Sequence, residues 1–293
     1  MMNRLLALAT LTATTLTTAL ALPTLAHAQA DDAPAKNVLA GDHITIGAGG
    51  VYTPSYEGSD NYSFGVLPLV QGEVHGFTIT PRPGGLAVDL IPDSPLMGDT
   101  DKKVSFALGP VVTYSRNRSH NIKDDVVRAA GKLKSAIDVG VNFGVTGYQI
   151  LDPYDALTLS ADVKWNVNSA SKGMTITPTL SYLTPLSKAM LVTVAVSAKH
   201  VDSDYADYYY DVTPVQSLRS GLPVYNARSG WANVNGSILI GYDLSGDLRD
   251  GGLALFAIGN YSRLLDDAKR TPYTSIRGSA DQFTIGAGVA YTF

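Results

Sequence analysis

Phe283-Thr284-Ile285-Gly286-Ala287-Gly288-Val289-Ala290-Tyr291-Thr292-Phe293 is the stretch that decides the fold. Phe283, Ile285, Ala287, Val289, Tyr291 and Phe293 take every second place, and small or polar residues fill the places between. Period two describes a strand with one oily face and one face that tolerates water. Soluble antiparallel sheets alternate too. An aromatic last residue, however, suits a transmembrane barrel, whose closing strand pairs with the first and sets its end in the interfacial girdle. Tyr291 and Phe293 are therefore the expected membrane-insertion signal.

The other end agrees. Arg4 precedes an apolar and threonine-rich run from Leu5 to Leu22, and Ala26-His27-Ala28 then forms an A-x-A site ahead of Gln29. Residues 1–28 read as a secretory signal peptide cut between Ala28 and Gln29. With no cysteine anywhere, lipoprotein anchoring, a disulfide framework, thiolate catalysis and cysteine-zinc sites are excluded. Losing Arg4 takes the formal charge from −4 to −5, which argues against nucleic acid as a partner. No later apolar run is long enough for a spanning helix. Gly 28 and Tyr 16 with 16% charged residues fit a barrel, which needs small lumen residues and aromatic belts.

Residues 29–42 lack periodicity and read as a flexible periplasmic lead; residues 43–293 read as the barrel. Alternation recurs from Ile44 to Tyr52, Tyr62 to Val74, Phe77 to Thr80, Leu86 to Ile91, Val104 to Ser115 and Ile137 to Val145. It returns from Leu157 to Asn168, Met174 to Tyr182, Val192 to Lys199, Asn233 to Leu244 and Leu253 to Arg263, before the closing strand. The prediction is an all-β, single antiparallel transmembrane barrel of about twelve strands, an even number as single-chain bacterial barrels have. The pairing of the two short segments around Pro81-Arg82-Pro83-Gly84-Gly85 is the least regular. With the amino terminus periplasmic, the long loops at 116–132, 202–230 and 264–280 all fall outside, and the turns at 151–155, 184–188 and 245–250 all fall in the periplasm. A miscounted strand would break that alternation. A basic side chain facing lipid near the midplane costs about 2–4 kcal/mol. Asp162 and Lys164 are therefore expected in the lumen, with Asp138 and Lys199, and the Leu157–Val167 row faces lipid.

Tyr56-Glu57-Gly58-Ser59-Asp60, after a glycine-rich first strand, resembles a motif of the MltA-interacting protein (MipA/OmpV) family of outer-membrane proteins. Tyr209-Tyr210-Asp211-Val212-Thr213-Pro214, ahead of Gly221 and Tyr225, is similar to that family's aromatic segment in a late outer loop, although Tyr210-Asp211 stands where phenylalanine-glycine is expected. The Gly241-Tyr242 strand and the aromatic end match as well, so the resemblance runs from about residue 40 onward. It implies a barrel in the outer membrane with no catalytic set. It also implies a scaffold between a periplasmic lytic transglycosylase and a murein synthase, or a surface-interaction role. The remaining expected partners are outer-membrane lipid, lipopolysaccharide and the barrel-assembly machinery.

The residues themselves suggest no reaction. His43, His75, His120 and His200 sit at strand ends or in loops, without the serine partner a hydrolase needs, and are too dispersed for a metal. Gly47-Ala48-Gly49-Gly50 lacks the lysine and helix of a phosphate loop. No cofactor and no enzymatic activity are expected. Glu57, Asp60, Asp202, Asp204, Asp207 and Asp211 form either a cation-binding rim or a solvated loop. The tyrosines at 205, 208, 209 and 210 form either a recognition patch or the outer girdle. The lumen charges either select solutes, as in a passive pore, or pair and plug the bore.

Overall fold

The computed structural model describes residues 37–91 and 102–293. The predicted cleavage site at Ala28 and Gln29 and residues 29–36 of the lead lie outside the described residues.

Twelve antiparallel strands close into one barrel. They are β1 (His43–Pro54), β2 (Tyr62–Val74), β3 (Phe77–Arg82), β4 (Gly85–Asp89), β5 (Val104–Ser115) and β6 (Ala136–Tyr148), then β7 (Ala156–Asn166), β8 (Met174–Ser187), β9 (Met190–Val201), β10 (Gly230–Asp243), β11 (Gly252–Leu264) and β12 (Asp281–Thr292). Each pairs with its sequence neighbours, and β12 closes on β1 from Tyr52 opposite Ile285 to Thr45 opposite Thr292. Closure gives every strand a partner on each side over at least part of its length, as strands that span a bilayer need. At the seam Gly49 stands opposite Gly288. A Cβ at Gly49 would come within 2.2 Å of the Ala287 carbonyl oxygen, so this close approach needs glycine.

The faces follow the alternation. Leu157, Leu159 and Trp165 are exposed on the outer wall, whereas Asp162 on the same strand is buried inside. Within the lumen, hydroxyl pairs join neighbouring strands: Thr45 to Thr292 at 2.8 Å, Thr53 to Thr284 at 3.0 Å and Thr146 to Thr158 at 2.9 Å. One side of the bore is oilier than the polar lumen expected. Phe256 is buried and fills the space a Gly288 side chain would take, while Leu67 and Ile258 flank Gly286.

Three details differ from the expectation. The long loops carry short helices: α1 (Asp125–Ala130), α2 (Ser203–Tyr210), α3 (Pro214–Ser220), α4 (Asp266–Arg270) and α5 (Pro272–Ser275). The predicted turn at 184–188 shrinks, because β8 continues to Ser187 and β9 begins at Met190. Residues 37–42 of the lead are ordered: Val38–Ala40 make a 3-10 turn capped by Asn37, with Leu39 buried. The Val38 amide donates to the Arg249 carbonyl at 2.7 Å, which ties this segment to the β10–β11 turn.

Candidate functional site: the capped mouth

All five helices lie at the end of the barrel opposite Phe293, where they form a cap with its own interior. Local chemistry explains each helix. Asp202 caps α2 by accepting from the Tyr205 amide, and its other oxygen accepts from Met174 on β8. Thr213 and Gln216 make a reciprocal capping box for α3, with Pro214 in the first turn and Gly221 left-handed after the end. Asp124 caps α1 through the Val127 amide and also holds Arg277 at 2.7 Å, joining the β5–β6 loop to the β11–β12 loop. Thr271 donates to the Tyr210 carbonyl at 2.6 Å, and Tyr225 donates to Asp267 at 2.6 Å. Three outer loops are thus stitched into one unit.

The tyrosines resolve the open alternative. Tyr209 and Tyr210 are buried with Ala206, Leu264 and Ala268, so they are the interior of the cap; they form neither a recognition patch nor a girdle. Trp231, packed edge-on to His200, with Tyr291 and Phe293 at the opposite end, have the exposed placement of girdle residues. Beneath the helices Arg118 is 1% exposed. Its Nη1 donates to the Tyr209 carbonyl at 2.8 Å, and its guanidinium lies 3.6 Å from the Tyr273 ring centroid. Burial pulls its pKa down, opposed by the nearby Tyr273 phenol. Burial likewise pushes the Tyr56 phenol up to about 12, with Asp124 adding to the rise.

The Tyr56–Asp60 motif is the pin of this cap. Tyr56 and Ser59 are buried; Ser59 bridges to Gly278, and the Gly58 amide donates to the Gln282 side chain at 3.1 Å. Gly58 has φ +97, and a Cβ there would meet Thr274 Oγ1 at 2.2 Å, so only glycine fits. Glu57 points into the mouth. It accepts from Lys199 at 2.7 Å and Asn233 at 3.0 Å, and Asn117 lies 3.4 Å away on its second oxygen. Lys199 also approaches the Tyr205 hydroxyl at 3.3 Å, under α2. Asp60 alone of the motif is exposed, where it accepts from Asn61. Glu57 therefore does not belong to a solvated acidic rim.

Lower down, Asp162 pairs with Arg82 of β3 at 3.0 Å and accepts from Asn142 at 2.6 Å. Asp138 accepts from Asn166 at 2.9 Å, and Lys164 has Asp162 and Asp138 as its attractive neighbours. All four expected lumen residues are in the lumen. They are brought into two paired groups with Glu57 and Arg82, and the six charges cancel in sign. Arg82 was missed because it was read as part of a turn. Continuing the alternation of Thr78 and Thr80 by one step places it inside.

A family model described as MltA-interacting protein MipA matches residues 46–293. Among solved structures, the COG4313 outer membrane channel from Pseudomonas putida F1 is similar with a TM-score of 0.45 and 11% identity, over 90% of this chain and 100% of that one. Pseudomonas aeruginosa OccK11 (OpdR) gives 0.28 and 9% over 86% and 95%, and a FadL homologue from the same organism gives 0.26 and 9% over 86% and 88%. No curated protein matches.

Proposed function

Because the chain belongs to the MltA-interacting protein MipA family, we propose that it is a non-enzymatic scaffold of the cell envelope: a closed barrel in the outer membrane that holds a periplasmic murein enzyme. The observation that carries this reading is the capped mouth. Helices, a buried Arg118 and the Glu57–Lys199 pair fill the outer end, and the lumen charges below are spent on one another. A barrel that works as a platform needs no bore, whereas a diffusion pore of this size needs one. In this orientation the long loops face outward and the short turns face the periplasm, where the ordered 37–42 segment braces the β10–β11 turn and enlarges the surface offered to a partner. The family's description names an interaction with MltA, and the resemblance drawn from the sequence makes the partner class a lytic transglycosylase with its murein synthase. Insertion by the barrel-assembly machinery and contact with lipopolysaccharide follow from the location.

The second reading, a passive pore for small hydrophilic solutes, draws on one polar arc of the lumen: Thr175, Thr177, Thr179 and Ser181 on β8 beside Ser197 on β9. Planar-bilayer conductance of the purified barrel, run beside cross-linking in intact cells, separates the two. The scaffold reading expects a silent barrel that captures a periplasmic transglycosylase. Steady conductance with no murein enzyme recovered overturns it.

A further inference from the structure

The wall is not paired over its whole height. β2 is matched by β1 from Tyr62 opposite Pro54 down to Glu73 opposite His43. On its other side it pairs with β3 only from Gly72 to Val74. Among the described residues, the β3-facing edge of β2 from Tyr62 to Gln71 has no strand partner and no turn or loop backbone bond. The facing bank is arranged to do without one. Gly72, at φ +151, sits where the strands part. Pro81 has no N–H to offer β2. Its carbonyl accepts instead from Arg82 Nη1 at 3.1 Å, and the same nitrogen donates to Thr80 Oγ1 at 2.9 Å.

Side-chain exposure marks the same place independently. Phe64 and Val66 on the lipid face of β2 are 83% and 77% exposed, against 62% for Ile285 and 59% for Val196 on fully paired strands. They lack a neighbour on one side. Within hydrocarbon, backbone that is not paired survives only where it is buried in protein or lines a water-filled cavity. The cap does not cover it: Lys123 reaches the Tyr62 carbonyl at the top of the slit, and no other loop bond to the strand is present among the described residues.

We propose that the slit between β2 and β3 is a lateral portal joining the lumen to the outer leaflet, through which small amphipathic molecules pass. The chemistry of its two banks sets the class. Leu67 and Leu69 alternate into the lumen behind the slit, continuous with Phe256 and Ile258, and would take an apolar tail. On the β3 bank the Thr80 hydroxyl, which accepts from Arg82, keeps its own hydrogen to donate to a polar end. With the mouth capped by the loop helices, the slit opens the outer half of the lumen sideways among the described residues. The portal rests on the barrel alone and stands whether or not the protein is a scaffold.

The chain has no cysteine, so a disulfide can be placed across the slit without interference. In Val70→Cys with Pro81→Cys the new residues fall two positions beyond Gly72 opposite Ile79 in the continued register, on the same face of the wall. Cells carrying the full-length pair are assayed for uptake of the apolar dye N-phenyl-1-naphthylamine. Uptake falls to the level of cells lacking the protein when the disulfide is closed, and recovers on reduction. Equal uptake in both states overturns the portal. Amide exchange of the unmodified barrel in micelles gives a readout that does not depend on the disulfide forming. Fast exchange at alternate amides between Ser63 and Gln71 supports an open slit. Protection equal to that of β10 overturns it, whether the cover is β3 itself or a strand from a second copy.

Discussion

Removing the charge of Glu57 tests whether the motif pins the cap. Glu57 and Lys199 are 2.7 Å apart with side chains 17% and 21% exposed, so the pair is mostly withdrawn from water. At an effective dielectric near 20, two unit charges about 4 Å apart attract by about 4 kcal/mol. Part of that offsets desolvation of the two ions, which leaves ~2–3 kcal/mol. Glu57→Gln keeps the shape and an amide oxygen that can still accept from Asn233 and Lys199, but removes the negative charge that offsets the Lys199 ammonium. The strands hold the barrel, so the loss falls on the cap. Its opening should rise roughly 30- to 160-fold, at about 1.36 kcal/mol per factor of ten. Exchange of the Tyr205–Tyr210 amides in micelles reads that opening directly. Lys199→Met alone should open the cap less than Glu57→Gln, and the double variant should cost less than the two single ones added together. Unchanged exchange in Glu57→Gln, or strict additivity, refutes the idea that this pair closes the mouth.

Acid should loosen the cap at a second point. Burial raises the Asp124 pKa, but hydrogen bonds from Arg277 and the Val127 amide outweigh it and leave the carboxyl below its ordinary value. A depressed folded pKa contributes stability above the unfolded value of about 3.9, and that contribution is lost as pH falls through the lower folded value. Loop proteolysis should therefore accelerate below about pH 4, and Arg277→Gln should flatten that dependence. Gly58→Ala should destabilise the cap by about 1–3 kcal/mol, from strained φ and contact with Thr274; an unchanged unfolding temperature would count against a fixed motif. Deleting Phe293, whose amide bonds the Ile44 carbonyl at 2.9 Å, should strand the chain in the periplasm, as fractionation would reveal. The intact barrel should show a heat-dependent gel shift in detergent.

The wall was legible and the mouth was not, for one physical reason. A strand between lipid and lumen meets a different medium on each side, so every second residue reports its face. All twelve runs, from Ile44–Tyr52 to Phe283–Phe293, lie within observed strands or overrun their ends by a few residues. The loop helices are four to eight residues long, too short for a helical period to emerge from the sequence. Their signal lies in the caps: Asp124, Asp202 and Thr213 each precede a helix whose third residue they bond. Arg118 carries no such signal. An arginine in a polar loop reads as solvated, and only the fold of the other loops over it makes it buried.

The same reasoning explains why pairing between distant residues escaped while their facing did not. Alternation places Lys199 and Asp162 in the lumen, but it is silent on what stands across the bore. Glu57 reaches Lys199 from 142 positions away, and Arg82 reaches Asp162 from 80. These bridges decide whether the bore is a channel or a plug. Charges of both signs on lumen faces are common to both cases, and what distinguishes them is geometry set by barrel closure. Where the alternation was weakest, around Pro81-Arg82-Pro83, the weakness was itself informative. β3 and β4 are six and five residues long beside neighbours of twelve or thirteen. A barrel that shortens two strands there gives up backbone pairing in the membrane. That loss is tolerable only where protein buries the gap or water fills it.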